Sequence, residues 1–340
     1  MEETKKILEV KNLSVSFDTY AGEVQAVRDT SWYVDKGETI AIVGESGCGK
    51  TVSIQTVMGI NRTDNCKVKS GQILFKGEDL IPKSIKEIHE YQGKDMSIIF
   101  QDPFTYLNPT SRVRNQIREG YMKHFKVSKK EANEKVIELL KTVNIPNPER
   151  VAKQYPYELS GGMRQRVMIA MALICNPTIL FADEPTTALD VTVQAQIIDL
   201  MNKLKNDFNA SIVLITHDMG VVANMADRIY IMYAGKILEH GIAEEIFHDP
   251  KHPYTVGLLH AAPRLDQKKQ SSQYTIPGTP PDLIDPPKGC PFAARCQHAM
   301  NICVDEFPEN IYFGENDHYV ACWLSHPACI EAKKSGGEVE

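Results

Sequence analysis

The chain has 340 residues, 42% of them hydrophobic and 24% charged, with a net charge of -6. That length exceeds one ordinary core and points to one large domain with an extension, or to two domains. The negative balance excludes nucleic-acid binding through a broad basic surface, and no apolar run approaches the ~20 residues that span a bilayer, so membrane association has to come through a partner.

No secretion signal is visible at the acidic start, Met1-Glu2-Glu3. Residues 7–17 place Leu8, Val10, Leu13, Val15 and Phe17 at partly alternating positions and predict an antiparallel strand. A turn at Ala21-Gly22 leads to a second strand near 24–27. Tyr20, at the end of the first strand, suits stacking on a purine, with Phe17 in reserve; composition alone fits a partly buried surface tyrosine equally well. Residues 39–43 are an apolar, β-branched run that predicts a buried strand. It leads into Gly44-Glu45-Ser46-Gly47-Cys48-Gly49-Lys50-Thr51, which fills every required position of the phosphate-binding pattern G-x-x-x-x-G-K-S/T. Glycines let several N–H groups converge on one phosphate, and the following helix adds the positive end of its dipole. Lys50 then reaches the β- and γ-phosphates, the Thr51 hydroxyl ligates Mg²⁺, and the nucleotide contacts run from Gly44 to Val52.

Residues 71–77 predict a strand closing in a hairpin glycine. Residues 96–100 predict another, running straight into Gln101, whose place at a strand's carboxyl end suits Mg²⁺ ligation or orientation of a water. From 107 to 157 the pattern turns helical. Ser128 to Glu131 forms a capping box, Ala132, Val136, Leu139, Leu140 and Val143 follow at helical spacing, and Pro146 ends the run. Leu159-Ser160-Gly161-Gly162-Met163 combines a helix N-cap with two glycines and suggests a second anion site. The strand 178–184 delivers Asp183 and Glu184 at its carboxyl end, suited to holding Mg²⁺ and to taking a proton from an attacking water. Asp190 caps a helix over 191–208. His217 follows the buried strand 211–216 and is a candidate γ-phosphate contact, and 229–233 with 237–239 predict a terminal hairpin.

Of the eight cysteines, Cys48, Cys66 and Cys175 are scattered, while Cys290, Cys296, Cys303, Cys322 and Cys329 crowd into the last 51 residues. Without a secretion signal, such a cluster reads as metal binding before disulfides. The gaps of five, six and eighteen residues among the first four suit tetrahedral zinc or a 4Fe–4S cluster, with Cys329 spare or an alternative fourth ligand.

With these residues in order the chain resembles the ATP-binding-cassette ATPases over roughly residues 7 to 250. The feature that singles out that family is the signature Leu159-Ser160-Gly161-Gly162, lying between Gln101 and the acidic pair. The resemblance implies a phosphate-loop α/β core with an antiparallel β subdomain, a helical signature subdomain over about 105–165, and a small metal-cluster extension. The cassette is expected over 1–255, the extension with its Pro-rich linker over 256–330, and a disordered tail over 331–340. By the same resemblance Tyr20 stacks on adenine, Lys50 and Thr51 contact phosphate and Mg²⁺, and Gln101 couples and ligates. Asp183 holds the metal, Glu184 is the general base, His217 the switch histidine and Asp190 a dimer contact. Ser160, Gly161, Gly162 and Met163 would contact ATP held by a partner, Met163 standing where many members carry Gln.

Phe100-Gln101-Asp102-Pro103, Leu107-Asn108-Pro109, the run from Ser160 to Met168, the run from Asp183 to Thr192 and His252-Pro253-Tyr254-Thr255 look like the dipeptide and oligopeptide importers. In particular they resemble the first of the two paired ATPases. That resemblance implies a paralogous ATPase partner, two transmembrane permease subunits, an external peptide-binding protein and a place on the cytoplasmic face of the cell membrane. It also favours the 4Fe–4S cluster, held by Cys290, Cys296, Cys303 and Cys322, over zinc. Nickel importers share much of the pattern. A soluble ATPase acting on nucleic acid is the rival from another class, disfavoured because neither long heptads nor a second phosphate loop is present.

Overall fold

Alternation of apolar and polar residues builds two long strands at the start, β1 (Lys6–Thr19) and β2 (Gly22–Asp35), burying Leu8, Val10, Leu13 and Val15 as expected. The computed structural model describes residues 6–187, 189–262, 275–314 and 317–334. The later strands are β3 (Thr39–Val43), β4 (Cys66–Phe75), β5 (Glu78–Asp79), β6 (Met96–Ile99), β7 (Ile179–Asp183), β8 (Ser211–Thr216), β9 (Arg228–Tyr233), β10 (Lys236–Ile242), β11 (Ile311–Phe313) and β12 (His318–Val320). The chain divides into two compact units.

The first unit holds residues 6–7, Val34–Thr39 and Leu80–Ile215. Its strands β6, β7 and β8 are parallel, pairing Met96 with Ile179 and Asp183 with Ile215. Every residue of β7 and β8 is buried, which is why both read as unbroken apolar runs rather than alternating ones. Helices Val113–His124, Lys129–Thr142 and Gly161–Leu173 lie between β6 and β7 in sequence. The Ser128 capping box forms, Ser128 Oγ accepting from Glu131 N at 3.2 Å and Glu131 Oε2 from Ser128 N at 2.8 Å. That helix stops before Pro146: Val143 is its C-cap, and Asn144 turns left-handed with φ of 57°.

The second unit comprises Leu8–Tyr33, Ile40–Asp79 and the described residues from Thr216 onward. It contains an antiparallel sheet of order β2-β1-β4-β5 and a mixed one running β11-β12-β10-β9-β3. In the mixed sheet β3 and β9 are parallel, while β9, β10, β12 and β11 pair antiparallel in turn. The expected hairpin is β9–β10, turned by Ala234 and Gly235 with φ of 45° and 80°.

Strand β12 was missed in the sequence. It places Val320 against Glu239 and Tyr319 against His240, so the C-terminal extension adds two strands to a cassette sheet. The join is polar and sealed. Glu239, 0% exposed, accepts from His318 Nε2 at 3.1 Å, from Lys251 N at 2.6 Å and from His252 N at 2.9 Å. A final helix, Pro327–Lys334, enters the stretch expected to be a tail; residues 335–340, like 263–274 of the expected linker, lie outside the described residues.

Candidate functional site

In the second unit the all-buried strand β3 leads into the phosphate loop, and the helix Lys50–Val57 leaves it. Two of the loop's glycines are dictated by packing. A Cβ on Gly44 would lie 2.0 Å from Met232 O, and one on Gly49 would lie 2.2 Å from Ala26 O, at a φ of +103° besides. Lys50 is only 5% exposed, and its Nζ donates to Gly44 O at 2.7 Å and Glu45 O at 2.9 Å. The ammonium is thus held inside the loop by the loop's own carbonyls. Cys48 is buried beside it, and burial pushes its thiol up. Tyr20 is fully exposed at the β1–β2 turn, and His217 follows β8 on the surface.

The second loop residue, Glu45, has partners the sequence did not reveal. Its N–H donates to Tyr254 Oη at 2.9 Å, and its two carboxylate oxygens accept from Arg295 Nη1 at 3.0 and 2.9 Å. Tyr254 belongs to the His252-Pro253-Tyr254-Thr255 run and is fully buried at the start of helix Pro253–Ala261, so that run serves the loop directly.

In the first unit, Gln101 and the Asp183–Glu184 pair stand at the carboxyl ends of parallel strands β6 and β7. Asp183 is 5% exposed. Glu184 takes a left-handed φ of 45°, its N–H donating to Ile215 O at 2.8 Å. Its Oε2 accepts from Gln101 Nε2 and from Thr187 Oγ1, both at 2.9 Å. The structure therefore brings Gln101 and Glu184 into direct contact, a pairing the sequence did not announce. Ala188 lies outside the described residues.

Ser160 caps the helix Gly161–Leu173, its Oγ accepting from Met163 N at 3.3 Å. Nothing lies near Gly161, but a Cβ on Gly162 would meet Val193 Cγ1 at 2.9 Å. Two further ties fix this helix. Arg164 sits 3.9 Å from the Phe104 ring centre, and the buried Gln165 donates to Pro185 O at 2.7 Å, one residue past Glu184. Asp190 is exposed and accepts from Val193 N at 3.0 Å as the N-cap of helix Val191–Phe208.

Four extension cysteines, Cys290, Cys296, Cys303 and Cys322, line one cavity with His252, His298 and Trp323; Cys329 is buried but does not line it. Burial, reinforced by the neighbouring cysteines, pushes the Cys290 and Cys322 thiols up to about 12. Gly289 is required there, since a Cβ would lie 2.3 Å from Cys303 O. The sequence reading expects these four cysteines to hold a metal cluster. Among the described residues no group of three or more His, Cys, Asp or Glu side chains is arranged to hold a metal ion. Four thiols around one cavity are nonetheless the donor type that zinc or an iron–sulfur cluster would draw on.

Among the described residues no helix is long and apolar enough to cross a membrane. A family model described as ABC transporter matches residues 27–187, and one described as Oligopeptide/dipeptide transporter, C-terminal region, matches 238–303. The chain is 53% identical to the oligopeptide transport ATP-binding protein OppD of Bacillus subtilis (strain 168), over 95% of this chain and 90% of that protein. It is equally 53% identical to the dipeptide transport ATP-binding protein DppD of the same organism, over 98% of each. Of solved structures, the ATP-binding cassette MJ0796, in a dimeric post-hydrolysis state bound to ADP and Pi, matches with a TM-score of 0.62 at 25% identity. That match covers 69% of this chain and 98% of the other.

Proposed function

The chain belongs to the ABC transporter family, and from that premise we propose that it is the ATP-hydrolysing subunit of a bacterial importer of dipeptides or oligopeptides. The observation that carries this reading is the shared 53% identity to an oligopeptide and a dipeptide transport ATP-binding protein over nearly the whole chain, extension included.

In this reading Tyr20 stacks on adenine and the loop from Gly44 to Val52 wraps the phosphates. Lys50 exchanges its two loop carbonyls for phosphate oxygens as nucleotide enters. Mg²⁺, when bound, draws off charge between the phosphates, and Thr51, Gln101 and Asp183 are the side chains suited to hold it. Glu184 takes the proton of the attacking water, its carboxylate aimed by Gln101 and Thr187. His217 contacts the γ-phosphate. Ser160, Gly161, Gly162 and Met163 serve the nucleotide of a partner ATPase, and Asp190 meets that partner across the interface. The motor works with a paralogous ATPase, two permease subunits and an external peptide-binding protein, at the cytoplasmic face of the membrane. Cys290, Cys296, Cys303 and Cys322 hold a 4Fe–4S cluster, supported by their common cavity.

The test is nutritional. Deleting the gene from its host should abolish growth of an amino-acid auxotroph on di- or oligopeptides containing the required residue, while the free amino acid restores growth. Undiminished peptide uptake in the deletion strain would overturn the proposal.

A further inference from the structure

A carboxylate on a loop that wraps polyphosphate is a liability, because like charges repel and the nucleotide brings several negative charges to the same place. Glu45 is such a residue, and the chain answers it from 250 positions away. The Arg295 side chain is 5% exposed and that of Glu45 is 26% exposed, so the pair is mostly withdrawn from water. The guanidinium is not free to wander. Its Nε donates to Pro277 O at 2.8 Å, its Nη2 to Ile276 O at 3.1 Å and its Nη1 to Tyr233 Oη at 3.1 Å, besides both oxygens of Glu45. A second contact, from Tyr254 Oη at the end of the cassette, holds the same residue by its backbone.

We propose that Arg295 is a positioning residue for the phosphate loop: by neutralising Glu45 it sets the loop's affinity for polyphosphate, and so makes the C-terminal extension part of the nucleotide site. The inference rests on the reading of the chain as an ATP-binding subunit. Lys50 Nζ already takes the carbonyls of Gly44 and Glu45. A released Glu45 side chain would therefore stand beside the one ammonium aimed at the phosphates and compete with them for it.

The experiment is equilibrium titration of the full-length protein with ATP, ADP and AMP, followed by nucleotide-dependent quenching of intrinsic fluorescence or by calorimetry. Arg295→Ala should weaken ATP binding about tenfold, ADP less and AMP least, because the penalty scales with ligand charge. The loss should shrink at high salt, where the screening length falls to about 3 Å at 1 M. Arg295→Lys, which keeps the charge, should retain most of the affinity, and adding Glu45→Gln to Arg295→Ala should recover most of it. If the alanine variant does not fold, comparing Arg295→Lys with Arg295→Gln carries the same contrast of charge.

Equal losses for the three nucleotides with no recovery in the double variant would make Arg295 a fold residue only and overturn the inference. Unchanged ATP affinity in a folded Arg295→Ala would overturn it as well, leaving the ATPase reading intact. A wild-type protein that binds no nucleotide would overturn the ATPase reading, and this inference with it.

Discussion

At the scale of single residues, the acidic site is pre-aimed and the basic site is pre-satisfied. Glu184 holds a left-handed backbone and two side-chain donors, so Glu184→Gln should keep the shape of the site while removing the proposed base. ATP binding should persist and hydrolysis should slow by about 10²–10⁴, read by phosphate release. Near-normal turnover would take Glu184 out of the chemistry. Lys50→Ala should instead lose nucleotide binding itself, since it deletes the proposed phosphate contact and leaves the Gly44 and Glu45 carbonyls without their shared donor. The motif residues were legible because their spacing along the chain is local. The Glu45–Arg295 pair was not, because nothing near either residue in sequence announces a partner so far away.

At the scale of elements, the strands and helices of the cassette followed from periodicity, buried parallel runs and capping boxes. What periodicity could not give is strand addition: β12 is three residues long, and its pairing with β10 is a long-range event with no local pattern. The seam beside it carries a pH signature. His252 caps helix Pro253–Ala261, its Nδ1 accepting from Tyr254 N at 3.0 Å. Burial, opposed by Glu239, drops its pKa to about 4. His240 falls to about 3, through burial first and then Arg228 and His318. Both are bases depressed from 6.5, so below that pH the unfolded chain takes up protons that the folded one refuses. Stability is therefore full above pH ~6.5 and lost progressively toward pH ~4 for His252 and pH ~3 for His240. His252→Asn keeps a capping acceptor but cannot titrate, so its melting temperature should fall less steeply with acid than that of the wild type. Parallel slopes in a thermal melt series would show that His252 does not contribute.

At the scale of the whole chain, the cysteine cavity decides whether the extension is held together by more than packing. Protein purified without oxygen should be brown and carry about four irons per chain. Replacing Cys290, Cys296, Cys303 or Cys322 by Ser should bleach it, while Cys329→Ser should leave the colour, since Cys329 does not line the cavity. Colourless wild-type protein with one zinc would sink the cluster. Crowding in the sequence pointed to five cysteines, and the importer resemblance to these four. It gave no hint that they sit on a segment joined to the cassette sheet through β12 and sealed by the buried Glu239–His318 contact.

The Arg295–Glu45 pair also has a consequence for inheritance. Its halves lie 250 positions apart, so a single crossover between positions 46 and 294 separates them. A hybrid that takes its amino-terminal part from one paralogue and its carboxy-terminal part from another can keep every motif residue and still pair Glu45 with a foreign side chain. Such recombinants would look intact in every local signature and bind ATP poorly. If Arg295 sets the loop's affinity, a single exchange between the two positions preserves ATP binding only where the donor carries the same charges at both.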